Sequence, residues 1–313
     1  MADSLLLMVW TLILGFALPA NDAGGLLEEA AGPTEQHYAN LGVPEVVFSC
    51  PLPEGPPAVK WKVNGTSPGL STLARGDGSL ALHNTSLDQE GEYTCHETAT
   101  GRVLRRVHLK LGYPPEKPSV QCRSASYPSV NCAWSLGTEP HLDTSFFSTY
   151  RHGIEGEVSE CVQPFSGANS CSIANMEMFS VSPYILNVTA VNPLGTTTSL
   201  FIIFLDQILK PDPPEDLKVS PIPGERKKLH LEWKPPSSWL LLEYFPLKYS
   251  VRYWRFGSRS SKTTRATEET SLVLTGIRPG GTYHIQVAAM DFLDNGEWSV
   301  WSSPATGTPW MPE

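Results

Sequence analysis

The groups with the most chemistry to offer in this 313-residue chain are six cysteines: Cys50, Cys95, Cys122, Cys132, Cys161 and Cys171. Clustered thiols either bind a metal or oxidise in pairs. No Cys-x-x-Cys occurs, which argues against a zinc site. An even count behind an apolar leader points to disulfides formed in an oxidising compartment. Cys122 and Cys132 flank a short turn-rich stretch marked by Pro128, and Cys161 and Cys171 flank another around "VQPFSGANS". Strands leaving a tight turn lie side by side, so two local bridges fit better than crossed ones. Asn64, Asn84 and Asn187 each begin an Asn-x-Ser/Thr sequon, the acceptor pattern for N-glycosylation. HExxH, GxSxG and a glycine-rich phosphate loop are all missing, and the eight histidines are scattered. No enzyme activity, metal or cofactor is therefore expected.

The leader is "MADSLLLMVWTLILGFALPANDAGG", almost wholly apolar from Leu5 to Leu18. It reads as a secretory signal peptide over residues 1–22, with cleavage near Ala17, Ala20 or Ala23, although no Lys or Arg precedes the apolar run. The greasiest later segment is "SLFIIFLDQIL" at 199–209, interrupted by Asp206 and expected to be a buried strand. With no later span, and about a dozen residues after the last tryptophan motif, neither a membrane anchor nor a GPI signal is expected. The product is expected to be secreted and extracellular. The formal net charge of −9 argues against a basic nucleic-acid-binding face.

The 28 prolines and 25 glycines leave little room for long helices. Short alternating segments between turns predict an all-β chain of three β-sandwich domains in series. Around the first cysteine pair stand "VVFSC", then Trp61 eleven residues on, then "LDQEGEYTC" with Tyr93 two residues before Cys95. Cys, Trp and Asp-x-x-x-x-Tyr-x-Cys in that order form the immunoglobulin fingerprint, with Trp61 packed on the disulfide and Tyr93 at the corner. That domain is expected over 36–112. A second sandwich over 113–209 holds the other two cysteine pairs and Trp134. "LKPDPPEDL" at 209–217 cannot be helix or central strand and reads as a stiff elbow. The third sandwich, 210–313, has no cysteine; Trp233 is its expected core tryptophan, and Leu274 with Tyr283 forms a fibronectin type III corner.

Four features taken together, the Cys122–Cys132 hairpin ending in Cys-Ala-Trp, the Cys161–Cys171 pair, the "KPDPP" elbow and Trp298-Ser299-Val300-Trp301-Ser302, resemble the class I cytokine receptor family. The resemblance implies two fibronectin type III domains behind the immunoglobulin-like one. It implies that the WSXWS tryptophans are structural and stack with cations of neighbouring strands, for which Arg252 and Arg255 are the candidates. Gln286 and Ala288 stand where many relatives carry arginines, so a shorter ladder is expected. Trp298 is a candidate for C-mannosylation.

The resemblance also implies that a four-helix-bundle cytokine chain binds at the elbow and is presented to a signalling receptor of the glycoprotein 130 type. Three loops there carry large apolar groups where turns are ordinarily polar. "NMEMFSVS" offers Met176, Met178 and Phe179, "SSWLLLEYFPL" offers Leu242, Glu243 and Tyr244 beside Leu240 and Leu241, and "MDFLDNGEW" offers Phe292, Leu293, Asp294 and Asn295. An exposed apolar cluster rimmed by charge marks an interface. Phe179 is the expected anchor, and Glu243 and Asp294 the acidic rim. Two rival uses stay open: Phe179 plugging the end of its own domain, and Leu240–Leu242 folding back on the elbow. Two functions follow, a secreted beta subunit of a heterodimeric cytokine or a soluble ligand-binding alpha receptor. An adhesion module of the same domains would need neither the tryptophan motif nor the elbow.

Overall fold

The computed structural model describes residues 33–51, 59–68 and 72–312. The expected signal peptide lies outside them. Among the described residues no helix is long and apolar enough to cross a membrane; strands make up nearly all the regular structure, with one 3-10 turn at Leu87–Gln89.

The first sandwich is built from β1 (Glu35–Asn40), β2 (Glu45–Phe48), β3 (Val59–Val63), β4 (Thr72–Ala74), β5 (Leu80–His83), β6 (Gly91–Glu97) and β7 (Val103–Gly112). One sheet runs β1-β7-β6-β3, with β1 parallel to β7, and the other runs β2-β5-β4. The Cys50–Cys95 disulfide joins them, its Cα atoms 6.2 Å apart. Trp61 is buried beside it against Phe48, and its indole N–H donates to the Gly78 carbonyl at 2.9 Å. The Tyr93 hydroxyl donates to the Gln89 carbonyl at 2.6 Å and pins the 3-10 turn. Burial, with the nearby Asp88 charge, pushes that phenol up to about 12, so it remains a donor. After β3, Asn64 and Gly65 both take positive φ, as a tight hairpin turn requires.

The second sandwich comprises β8 (Ser119–Ser126), β9 (Ser129–Ser135), β10 (Ser145–His152), β11 (Ser159–Glu160), β12 (Ser170–Ile173), β13 (Tyr184–Asn192) and β14 (Gly195–Ile203). Its sheets run β12-β9-β8 and β11-β10-β13-β14. Cys122 and Cys132 face each other across the β8–β9 hairpin, Cα atoms 4.1 Å apart. Cys161 and Cys171 tie the two sheets together. The "SLFIIFLDQIL" segment departs from expectation. It is a strand only as far as Ile203, and Leu200 and Ile202 are 69% and 60% exposed. The reason is position: β14 is an edge strand, and alternate residues turn their side chains away from the core.

The third sandwich holds β15 (Glu215–Pro221), β16 (Leu229–Lys234), β17 (Leu247–Arg255), β18 (Lys262–Thr263), β19 (Ser271–Leu274), β20 (Tyr283–Asp291) and β21 (Ala305–Gly307), in sheets β15-β16-β19 and β18-β17-β20-β21. Without a disulfide it relies on packing. Leu229, Leu231, Tyr249, Val251, Ile285 and Val287 are all but inaccessible to solvent. The Tyr283 hydroxyl accepts the Arg278 backbone N–H at 2.9 Å, and in the second sandwich Tyr184 does the same for Glu177 at 2.8 Å.

The cores of the second and third sandwiches merge into one cluster through the elbow, where Leu209 is fully buried. Residues 208–210 run beside β8: Ser124 N–H donates to Ile208, and Lys210 N–H donates back to Ser124. Glu297 N–H donates to the Leu209 carbonyl at 2.8 Å. That approach requires glycine at 296, whose φ is +71° and where a Cβ would stand 1.9 Å from the Leu209 oxygen. Arg123 clasps the joint from outside, donating to the Lys210 carbonyl at 2.9 Å and to Asp212 at 2.6 Å. Asp212 also accepts the Ser238 hydroxyl. Such a joint holds loops of two domains in fixed relation.

Candidate partner-binding site at the elbow

The three apolar loops are brought together by a residue that belongs to none of them. Tyr127, in the β8–β9 turn, is buried between the two sandwiches. Its ring centroid lies 4.3 Å from Phe245, 5.8 Å from Trp239 and 6.2 Å from Phe179. Its hydroxyl receives the Asn295 side-chain amide at 3.2 Å. Burial pushes the Tyr127 phenol up to about 12, aided by the Asp291 charge.

Phe179 lies on the loop between β12 and β13. It rests one side of its ring on Tyr127 and Phe245 and leaves the residue 63% exposed. Its φ is +61°, a strained setting for a bulky residue. The ring is neither loose nor used up as a plug: two aromatic rings hold it and its outer side is free. Met178 beside it is also exposed. Met176 corrects the sequence expectation. It is only 3% exposed and belongs to the core, because its backbone N–H donates to the Pro128 carbonyl and turns that stretch of the loop inward.

On the second loop, Leu240, Leu242, Glu243 and Tyr244 are exposed, whereas Leu241 packs on the core. Phe245 N–H and Tyr244 N–H both donate to the Leu241 carbonyl, and this turn separates the inward leucine from its neighbours. The Trp239 indole donates to the Phe245 carbonyl and fixes the loop's ends. On the third loop, Phe292 and Leu293 are exposed. Asp294 is paired at 2.5 Å with Lys248, so its charge is partly answered within the chain. Buried Asp291 supports this loop, accepting N–H groups from Leu293 and Asn295 at 3.0 and 3.3 Å. Burial raises its carboxyl above the usual value, although these hydrogen bonds and Lys248 pull the other way.

The tryptophan motif lies alongside rather than in the site. Ser299 and Ser302 are buried and act as a false edge strand on β20. The Ser299 backbone N–H donates to the Ala289 carbonyl and its hydroxyl accepts the Ala289 N–H; Ser302 does the same with Val287. The Arg252 guanidinium stands 4.4 Å over Trp301 and 5.8 Å from Trp254. Gln286 accepts from Arg252 at 2.6 Å and donates to the Ser302 carbonyl at 2.7 Å. Trp254 then stacks on His284, and His284 on Phe256.

Arg255 is not a rung. It lies three residues from Arg252 on β17, and alternation puts the two on opposite faces of the sheet. Its side chain instead lies over Gly281. Among the described residues no cation stands over Trp298. Ala288 shares the outer face with Gln286 but makes no ladder contact. Met176 and Arg255 thus fall outside the places assigned to them.

Sequence reasoning missed Tyr127, Trp239, Phe245 and Trp254, while Asn295 was among the residues expected on the third loop. The available signal was an aromatic before proline in a hairpin, "SASYPSV", and aromatics inside the greasy "SSWLLLEYFPL". The sequons fall at different depths. Asn64 and Asn84 are at exposed turns, with the Asn64 side chain accepting Glu92 N–H at 2.9 Å. Asn187 is half-buried in mid-strand.

Residues 118–204 match the family described as the IL27B N-terminal FN3 domain, and residues 212–307 match the fibronectin type III domain. Human interleukin-27 subunit beta is 42% identical over 196 residues, covering 61% of this chain and 85% of its own. Chicken ciliary neurotrophic factor receptor subunit alpha is 34% identical over 278 residues, 88% of this chain and 75% of its own. Mouse interleukin-11 receptor subunit alpha-1 is 35% identical over 293 residues, 90% and 67% respectively.

Proposed function

Because this chain belongs to the class I cytokine receptor family, we propose that it is the secreted, receptor-like beta subunit of a heterodimeric cytokine. It is not an enzyme; the relatives are cytokine and receptor subunits. Its elbow takes a four-helix cytokine chain and presents it to a signalling receptor of the glycoprotein 130 type. The proposed domains are 36–112, 113–209 and 210–313.

One observation carries this reading. Phe179, Met178, Leu242, Tyr244, Phe292 and Leu293 are exposed apolar groups from three loops, and the loops meet on one buried tyrosine in a joint that is hydrogen-bonded on both sides. A rigid apolar shelf lowers the entropic cost of docking. Glu243 and Lys248-paired Asp294 orient a basic helix face at its rim. Phe179 is the anchor, since full burial of such a ring stabilises a complex by about 1.5–3 kcal/mol.

A soluble ligand-binding alpha receptor is the second reading. What favours it is reach: the two alpha subunits match 88% and 90% of the chain, first sandwich included, while the beta subunit matches 61%. Co-expression with secreted four-helix cytokine chains, with the medium read by size exclusion and light scattering, separates the two. A stable one-to-one complex formed during secretion supports the beta subunit. Free monomer that binds a separately secreted ligand reversibly supports the alpha receptor.

A further inference from the structure

The outer face of the β11-β10-β13-β14 sheet is more apolar than a solvent-facing sheet ordinarily is. Strand register lays it out as four rows. Ser145, Val191 and Thr196 form the first, Phe147, Thr189 and Thr198 the second, Glu160, Thr149, Asn187 and Leu200 the third, and Arg151, Ile185 and Ile202 the fourth. Phe147 is 56% exposed, and Leu200 and Ile202 more so. Asn187 stands between Thr149 and Leu200 in the third row. It is also the first residue of a sequon, Asn187-Val188-Thr189.

We propose that an N-linked glycan on Asn187 is the cover of this apolar sheet face and keeps the secreted chain monomeric. In the modification the Asn187 side-chain nitrogen attacks C1 of the first N-acetylglucosamine of a polyprenyl-diphosphate-linked oligosaccharide. The C1–O bond to diphosphate breaks, the lipid diphosphate leaves with the bonding pair, and the amide proton passes to a base of the transferase. The acceptor is the nascent chain, so the later burial of β13 is no obstacle.

Placement favours sugar over protein as the occupant. Asn64 and Asn84 sit at exposed turns, while the Asn187 sequon alone stands amid Phe147, Leu200 and Ile202. A bulky polar graft at that point covers exposed apolar side chains on neighbouring strands.

The test uses the full chain secreted from cultured animal cells. Peptide mapping after amidase treatment in heavy-oxygen water reads occupancy of Asn187, which is expected to be nearly complete. Asn187→Gln and Thr189→Ala are expected to lose the monomer peak in light scattering and to gain apolar-dye fluorescence, while Thr189→Ser retains both wild-type properties. Adding Phe147→Ser, Leu200→Thr and Ile202→Thr to Asn187→Gln restores the monomer. Should the sequon variants not be secreted, folded wild type trimmed by an endoglycosidase supplies the same reading. An unmodified Asn187 in the secreted protein overturns the proposal, and dimerisation of that protein through this face would make a second copy the occupant. A trimmed protein that stays monomeric with unchanged dye binding overturns it equally.

Discussion

The Tyr127 and Phe245 rings lie 4.3 Å apart across the elbow, one from the second sandwich and one from the third. Every loop of the proposed site touches this pair or its immediate neighbours. Tyr127→Ala is expected to cost about 3–5 kcal/mol of stability, as for loss of a large buried ring, and to weaken partner binding with it. Tyr127→Phe removes only the acceptor for Asn295 and is expected to cost about 1 kcal/mol. Chemical denaturation checks both. A fully stable Tyr127→Ala variant would show that the joint does not depend on this ring.

Phe179→Ala is expected to weaken partner binding by about 1.5–3 kcal/mol, roughly ten- to hundredfold, with circular dichroism unchanged. The backbone there has φ +61°, so Phe179→Gly is expected to be the more stable of the two truncations by about 1 kcal/mol. Calorimetry on both variants reads binding and melting together. Wild-type affinity in either variant would remove Phe179 as the anchor.

Among the described residues, Arg252 over Trp301 makes the one close cation–π contact of the tryptophan motif, at 4.4 Å. Arg252→Ala and Trp301→Ala are each expected to lose about 0.5–2 kcal/mol from that contact, seen as a lower melting temperature and reduced secretion. Trp298→Ala is expected to cost less, since no cation stands over that ring among the described residues. The opposite order in a thermal-shift series would place the supporting contact at Trp298. Loss of partner binding at normal yield would move the motif into the site.

Two carboxylates at the elbow respond to acid in opposite senses. Burial pushes the Asp212 carboxyl up, but hydrogen bonds from Ser238 and Arg123 and the Arg123 charge outweigh it and hold it below the ordinary carboxylate value. A depressed carboxyl stabilises the fold above its unfolded value, and that contribution disappears as pH falls through the folded value. Asp291 is raised by burial. Its contribution is present in full below the unfolded value and is lost as pH rises through the folded one. Asp212→Asn is therefore expected to lower stability at neutral pH and flatten the acid limb. Asp291→Asn is expected to raise stability at neutral pH relative to pH 3, provided the amide oxygen still accepts from Leu293 and Asn295. Denaturation midpoints from pH 3 to pH 7 show each slope.

Much of the architecture is legible in the residues. Alternation along "YILNVTAV" gives a strand whose Tyr184, Leu186 and Val188 are buried and whose intervening residues are not. The local cysteine pairs form because short turns put them on adjacent or facing strands. Period-two geometry also contained the answer on Arg255, since residues three apart on one strand face opposite ways. Met176 was not legible: whether a loop methionine turns in or out depends on a hydrogen bond to Pro128, far from it along the chain. Nor was the exposure of Leu200 and Ile202, because an apolar run does not tell a strand covered on both sides from one at an open edge.

The sequence by itself determined the all-β class, the bridged cysteines and the apolar loops, because each is set by residue type and short spacing. The tertiary structure alone decided that those loops form one shelf. Asn295 reaches Tyr127 from 168 residues away, and Phe179 meets Phe245 from the neighbouring sandwich. Only the folded elbow brings such distant groups within hydrogen-bonding and ring-contact range, and no local periodicity encodes that approach.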